Sequence, residues 1–146
     1  MNIEQRELII KTIVKNEKLR HISRFERILR NPVRTSYYYF LAAISHICPY
    51  KMTFPTLWHT EMTSYLPEGN TFYYYGYCEA NLTSFLLRYL KEGDIVLDVG
   101  AHIGFYSMLT SKLVGTLGEV HSFEPTPWTF ALLQKNTEHC SNVMLN

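Results

Sequence analysis

The chain has 146 residues, 47% of them hydrophobic and 18% charged, with a formal net charge of +1. That length supports one domain with a sizeable core, and that balance argues against a disordered chain. No apolar run approaches the ~18–20 residues of a membrane-spanning helix, and three widely spaced cysteines (Cys48, Cys78, Cys140) argue against a disulfide framework or a CxxC zinc site.

The first residues, Met1-Asn2-Ile3-Glu4-Gln5-Arg6-Glu7, lack the charged-then-apolar order of a secretion signal. Free thiols in a reducing cytoplasm are therefore expected, with no metal site. The near-neutral total hides an asymmetry. Residues 1–60 carry ten Lys or Arg against four Glu, and residues 61–146 carry four against nine acids. The basic half reads either as a solvated helix face or as a weak contact for an anionic membrane surface, with no nucleic acid expected.

Residues 4–30 read as helical, because Ile10, Ile13 and Val14, and then Ile22, Phe25, Ile28 and Leu29, recur at helical spacing. Asn31-Pro32 predicts a cap and a first-turn proline for a new helix running to about Ile47 and ended by Pro49. Met52-Thr53-Phe54 and Thr56-Leu57-Trp58 are β-prone, and Pro67-Glu68-Gly69-Asn70 is a turn. The cluster Tyr73, Tyr74, Tyr75 and Tyr77 reads as packing, with a pocket lining as the alternative.

From Asn81 the pattern is regular. Leu82, Phe85, Leu86, Tyr89 and Leu90 mark the apolar face of a helix stopped by Gly93. Asp94 to Val99 is a short β-branched run, as expected of a buried strand. A loop with two glycines leads into a helix over Phe105, Met108, Leu109 and Leu113, closed near Gly115. A second strand spans Glu119–Glu124, Thr126-Pro127 opens a third helix to about His139, and Asn142–Leu145 begins a third strand. Such alternation predicts an α/β fold with a parallel sheet. The organisation expected is a helical and β-rich lead-in over residues 1–77, then the alternating part over 78–146.

Two features together point to a nucleoside. One is a strand-to-helix loop whose glycines, Gly100 and Gly104, let backbone approach a ligand at a helix N-terminus. The other is an acid at the end of the next strand, Glu124, twenty residues beyond Gly104 and suited to a ribose diol. A dinucleotide site would want G-x-G-x-x-G closing on a pyrophosphate. Here the spacing is G-x-x-x-G, and Asp98 stands two residues before the first glycine. That acid suits a ligand with an amine and a sulfonium, and repels phosphate. S-adenosylmethionine (SAM) is therefore favoured over NAD.

These stretches resemble the FkbM-type SAM-dependent methyltransferases: Tyr77-Cys78-Glu79, Leu90–Asp94, Val96–Ser107 and Phe123-Glu124-Pro125-Thr126-Pro127. The resemblance covers about residues 73–146. It implies the first three strands of the class I methyltransferase sheet and methyl transfer to a hydroxyl of a sugar or natural product. By that resemblance Asp98, Gly100, Ala101 and Gly104 would surround the methionine end of SAM, Glu124 would hold the ribose, and Pro125 would shape the adenine approach. Glu79 matches a recurrent acid of the family and would face the cofactor. His102 stands where the family often has Asn, which a backbone contact tolerates. A catalytic base is not assigned.

In the class I strand order the first strand is central. Without a fourth strand, Ile95–Val99 is expected to form an exposed apolar edge, as in a fragment or a chain completed by another. This chain alone is then expected to bind cofactor without turning over. A non-catalytic module that associates through the basic helices is the alternative.

Overall fold

The computed structural model describes residues 1–20, 22–48, 50–66 and 69–146. Three helices come first: α1 (Ile3–Arg20), α2 (Arg24–Arg30) and α3 (Pro32–Ser45). The single helix expected over 4–30 is divided in two. Ser23 begins α2 as its N-cap, with its hydroxyl accepting from the Glu26 N–H at 3.1 Å. Ser23-x-x-Glu26 is the spacing of a capping box, which outweighs the apolar periodicity running through it. Pro32 occupies the first turn of α3, although the Asn31 side chain makes no capping bond. Pro49, Pro67 and Glu68, expected to end a helix and to make a turn, lie outside the described residues.

A hairpin follows, β1 (Tyr50–Pro55) against β2 (Glu61–Leu66), with Thr53 opposite Thr63. Thr56-Leu57-Trp58 is not strand but the start of the turn, where Thr56 N–H and Oγ1 both donate to Thr60 O. The tyrosine run forms the short helix α4 (Asn70–Tyr75), whose Tyr73 and Tyr74 pack around Tyr38 of α3 with ring centroids 5.0 and 5.1 Å apart. Packing is thus what these rings do.

The alternating part is α5 (Ala80–Tyr89), β3 (Ile95–Val99), α6 (Phe105–Val114), β4 (Glu119–Phe123), α7 (Pro127–Thr137) and β5 (Val143–Leu145). β3, β4 and β5 form a parallel sheet in that order, with Asp98 opposite Ser122. Parallel strands require helical crossovers, and α6 and α7 provide them. This is a Rossmann-like α/β arrangement.

One core joins the two parts of the chain. Ile9 and Ile13 of α1 are buried with Trp58, Met62, Tyr77, Leu87, Phe105, Met108, Leu109 and Leu132. Val14, expected inside, is exposed. α1 lies along α5, so α5 turns Thr83 and Leu87 inward, while Leu82, Phe85 and Tyr89 of the expected inner face are exposed. Arg6 fastens the joint. Its guanidinium donates to Leu87 O and Leu90 O at the end of α5 and to Leu113 O at the end of α6. A cation there meets the negative ends of two helix dipoles.

One face of the parallel sheet is bare. Val120 and Ser122 are fully buried under the helices, whereas Ile95, Leu97 and Val99 on the other face of β3 are 69%, 67% and 80% exposed. Among the described residues β3 pairs on one edge only. No described helix is long and apolar enough to cross a membrane.

Candidate functional site

The loop between β3 and α6 is built from backbone bonds across the strand ends. Gly100 N–H and Ala101 N–H both donate to Phe123 O at 2.9 Å, and Gly104 N–H donates to Ala101 O at 2.8 Å. His102 sits at φ +51, a left-handed conformation costing a side-chain-bearing residue about 1–3 kcal/mol. Its N–H donates to Glu124 Oε2 at 2.9 Å, so it meets the site acid through backbone while the residue itself stays exposed.

The two glycines do different work. Both have positive φ, +81 for Gly100 and +88 for Gly104. A Cβ on Gly104 would lie 2.8 Å from Leu133 Cδ1 and 3.4 Å from Thr137 Cγ2, so this glycine lets α6 close onto α7. A Cβ on Gly100 would meet nothing within 4 Å. Open space thus lies over Gly100, where a ligand can approach backbone.

Asp98 ends β3 half-buried. Ser107 Oγ donates to its Oδ2 at 2.6 Å, and Ser122 Oγ donates in turn to Ser107 Oγ at 2.8 Å. Desolvation pushes the Asp98 carboxyl above its ordinary range, partly offset by the side-chain and backbone bonds from Ser107. Among the described residues no Lys or Arg forms an ion pair with it. A cationic ligand group would relieve that cost.

Glu124 follows β4 and is held from three sides. Oε1 accepts from Thr126 N–H and Thr129 Oγ1, each at 2.9 Å, and Oε2 accepts from His102 N–H. Desolvation raises its pKa, but the bonds from Thr126, Thr129 and His102 outweigh that and hold it at about 2. A carboxylate has about four lone-pair sites, so one on Oε2 stays open for a hydroxyl in this arrangement. Pro125 is exposed beside it and Pro127 opens α7.

Glu79 enters α5 at φ +41, and its Oε2 accepts from Tyr106 OH at 2.5 Å. Burial, and then this bond, push the Tyr106 hydroxyl upward, so it remains a donor. The sequence offered no sign of this pair, whose members lie 27 positions apart. It offered none of Asn136 either. The buried Asn136 amide donates to Ile103 O in the loop and to Thr63 O of β2, and its Oδ1 accepts from Thr63 N–H. An asparagine in a helix reads as surface until its partners are known. Among the described residues no group of three His, Cys, Asp or Glu is arranged to hold a metal ion, and Cys48, Cys78 and Cys140 are free.

The geometry therefore gathers Asp98, Gly100, His102 and Glu124 around one loop, ties Glu79 to α6 through Tyr106, and packs Gly104 closely against α7. No protein-family profile matches the chain. The chain is 49% identical over 47 residues to 31-O-demethyl-FK506 methyltransferase FkbM of Streptomyces tacrolimicus, a stretch covering 32% of this chain and 18% of that protein. Among solved structures, a SAM-dependent methyltransferase from Aquifex aeolicus is 34% identical over 39% of this chain and 31% of its own (TM-score 0.37). Aeropyrum pernix fibrillarin with natively bound S-adenosyl-L-methionine is 25% identical over 38% and 24% (TM-score 0.37). The matched stretches thus span between about a fifth and a third of these proteins. Over its matched segment this chain is similar to the FkbM-type class I methyltransferases.

Proposed function

We propose that the loop from Asp98 to Gly104 binds S-adenosylmethionine, and that this chain supplies the cofactor half of a methyltransferase acting on a hydroxyl of a sugar or natural product. The observation that carries the reading is a pair of carboxylates on either side of an open glycine. Asp98 is desolvated and has no Lys or Arg ion pair among the described residues, and Glu124 is ionised with one acceptor site to spare. SAM presents an ammonium and a sulfonium to the first and a ribose hydroxyl to the second. The similarity to FkbM over the matched segment supports it.

The cofactor, when bound, supplies an electrophilic methyl carbon. This chain's residues hold and orient it: Asp98 faces the cationic end, Gly100 admits it, and Glu124 fixes the ribose. An acceptor hydroxyl must then be aligned and its proton removed, and no described residue is assigned that task. Calorimetry with SAM, its demethylated product and NAD tests the reading. Binding of the first two, no binding of NAD, and a loss of at least tenfold in Glu124→Ala are expected. An intact fold that ignores SAM at millimolar concentration would overturn it.

A second reading, an interaction module, is favoured by one observation. Val33, Tyr37, Phe40 and Ile44 recur along α3 and are exposed, as are Phe25 and Leu29 on α2. Anionic vesicles test it. Sedimentation with them that Phe40→Ser abolishes, together with no SAM binding, would favour the module.

A further inference from the structure

Two serines stand in line behind Asp98. Ser107, in the first turn of α6, donates from Oγ to Asp98 Oδ2 at 2.6 Å, and Ser122 of β4 donates from Oγ to Ser107 Oγ at 2.8 Å. Both serines are 0% exposed, so solvent reaches neither hydroxyl. Strand register explains the alignment. Asp98 and Ser122 are partners across β3 and β4 and so point to one face of the sheet, the face covered by helices. The line of bonds has one direction, because a hydroxyl carries a single hydrogen. Ser107 gives its hydrogen to the carboxylate and receives that of Ser122. Each bond polarises the next, so Ser122 makes Ser107 a stronger donor to Asp98. The charged groups nearby are otherwise engaged. His121 and Glu119 of β4 pair with each other on the sheet's other face, opposite Leu97 and Ile95. Lys112 of α6 donates to Trp58 O, Glu79 at the entrance of α5 accepts from Tyr106, and His102 meets Glu124 through its backbone. Desolvation raises the Asp98 carboxyl, and the bonds from Ser107 lower it.

We propose that Ser122 is a positioning residue that acts through Ser107 to hold the Asp98 carboxylate for the cationic end of the cofactor. This rests on the SAM reading above and deepens it by assigning what keeps that acid ready. A carboxyl taken out of water favours its neutral form, and a neutral carboxyl cannot make the charge-assisted bond that an ammonium needs. The two buried hydroxyls oppose that drift before any ligand arrives. Ser122 touches no ligand, and its influence passes through Ser107.

Calorimetry across pH with two ligands tests the role on the whole chain. S-Adenosylhomocysteine carries the amino acid and 5′-methylthioadenosine lacks it, so only the first calls on a charged Asp98. Its affinity should fall as pH drops through the Asp98 range, and loss of a donor moves that fall to higher pH. Ser107→Ala should move the midpoint by about one pH unit, equivalent to about tenfold in affinity within the fall, and Ser122→Ala by about half as much. In the Ser107→Ala background, Ser122→Ala should add little, whereas an independent packing effect would add in full. Ser122→Cys, a weak donor, should fall between Ser and Ala, and it decides the matter by the same comparison if Ser122→Ala does not fold. Methylthioadenosine should change less than about twofold in every variant. The carboxyl ¹³C resonance of Asp98, identified with Asp98→Asn, should titrate in the same order without ligand. A midpoint unmoved by the Ser122 variants, or moved equally in both backgrounds, overturns the role of Ser122. Wild-type protein that binds neither ligand overturns the SAM reading and this inference with it.

Discussion

Alanine at each of the two loop glycines should give opposite phenotypes, because one glycine faces protein and the other faces open space. At Gly104, alanine incurs the left-handed backbone penalty of about 1–2 kcal/mol. It also drives a methyl to within 2.8 Å of Leu133 Cδ1 and 3.4 Å of Thr137 Cγ2, an overpacking that costs about 1–3 kcal/mol. The total is about 3 kcal/mol, or a fall in melting temperature of roughly 6–12 °C for a chain of this size. At Gly100 the backbone penalty is the same, but nothing lies within 4 Å of the added methyl. Gly100→Ala should therefore lose only about 1–2 kcal/mol, while its methyl occupies the space through which the cofactor approaches, and affinity for SAM should fall at least tenfold. Urea unfolding and calorimetry on both variants decide the matter. If Gly100→Ala is as destabilised as Gly104→Ala and binds SAM normally, the assignment of open space above Gly100 to a ligand is refuted.

Three further outcomes follow from the same structure. Asn136→Ala removes three buried hydrogen bonds and leaves Thr63 and Ile103 backbone groups unpaired, so urea unfolding should show a loss of about 2–4 kcal/mol. Arg6→Met strips the carbonyls of Leu87, Leu90 and Leu113 of their donor, and a loss of about 2 kcal/mol in the same assay is expected, with hydrogen exchange rising at the ends of α5 and α6. Glu124 is held at about 2 in the folded chain, against ~4.3 for an unfolded glutamate. The unfolded chain therefore takes up the proton first as pH falls. The stability Glu124 contributes is whole above about pH 5 and lost as pH drops toward 2. Over that window the gap in urea midpoint between wild type and Glu124→Gln should close, and a constant gap would contradict the bonding described.

Much of the second half was legible in the sequence because its signals are local. The Ile95–Val99 strand, the glycine loop, the Glu119–Phe123 strand and the proline opening α7 each depend on residues within a few positions. Asp98, Gly100 and Glu124 gather at one loop for the same reason: the strand-loop-helix-strand order fixes where strand ends fall. Other features depend on what packs against them. Leu82, Phe85 and Tyr89 form a regular stripe, yet α1 lies along the Thr83–Leu87 side of their helix and leaves them exposed. The strand Glu61–Leu66 has mixed polarity and was not foreseen, because its partners are Tyr50–Pro55 on one edge and a side chain of α7 near the other. Helix periodicity ran straight across Ser23, where a single capping hydroxyl outweighs it. The Tyr106–Glu79 pair exists only once the entrance of α5 is brought to the first turn of α6.

The carboxamide of Asn136 has a consequence for how this chain meets others. By receiving the N–H of Thr63 and donating to its carbonyl, it makes the two bonds that a neighbouring strand would make there. A side chain from a helix thus stands in for a strand and closes that position of the hairpin to additions. β3 has no such cover among the described residues, and its bare side chains, Ile95, Leu97 and Val99, are apolar. The hairpin at Thr63 thus offers a further strand no free backbone pair, whereas β3 and β5, the two edges of the parallel sheet, each pair on one side only among the described residues.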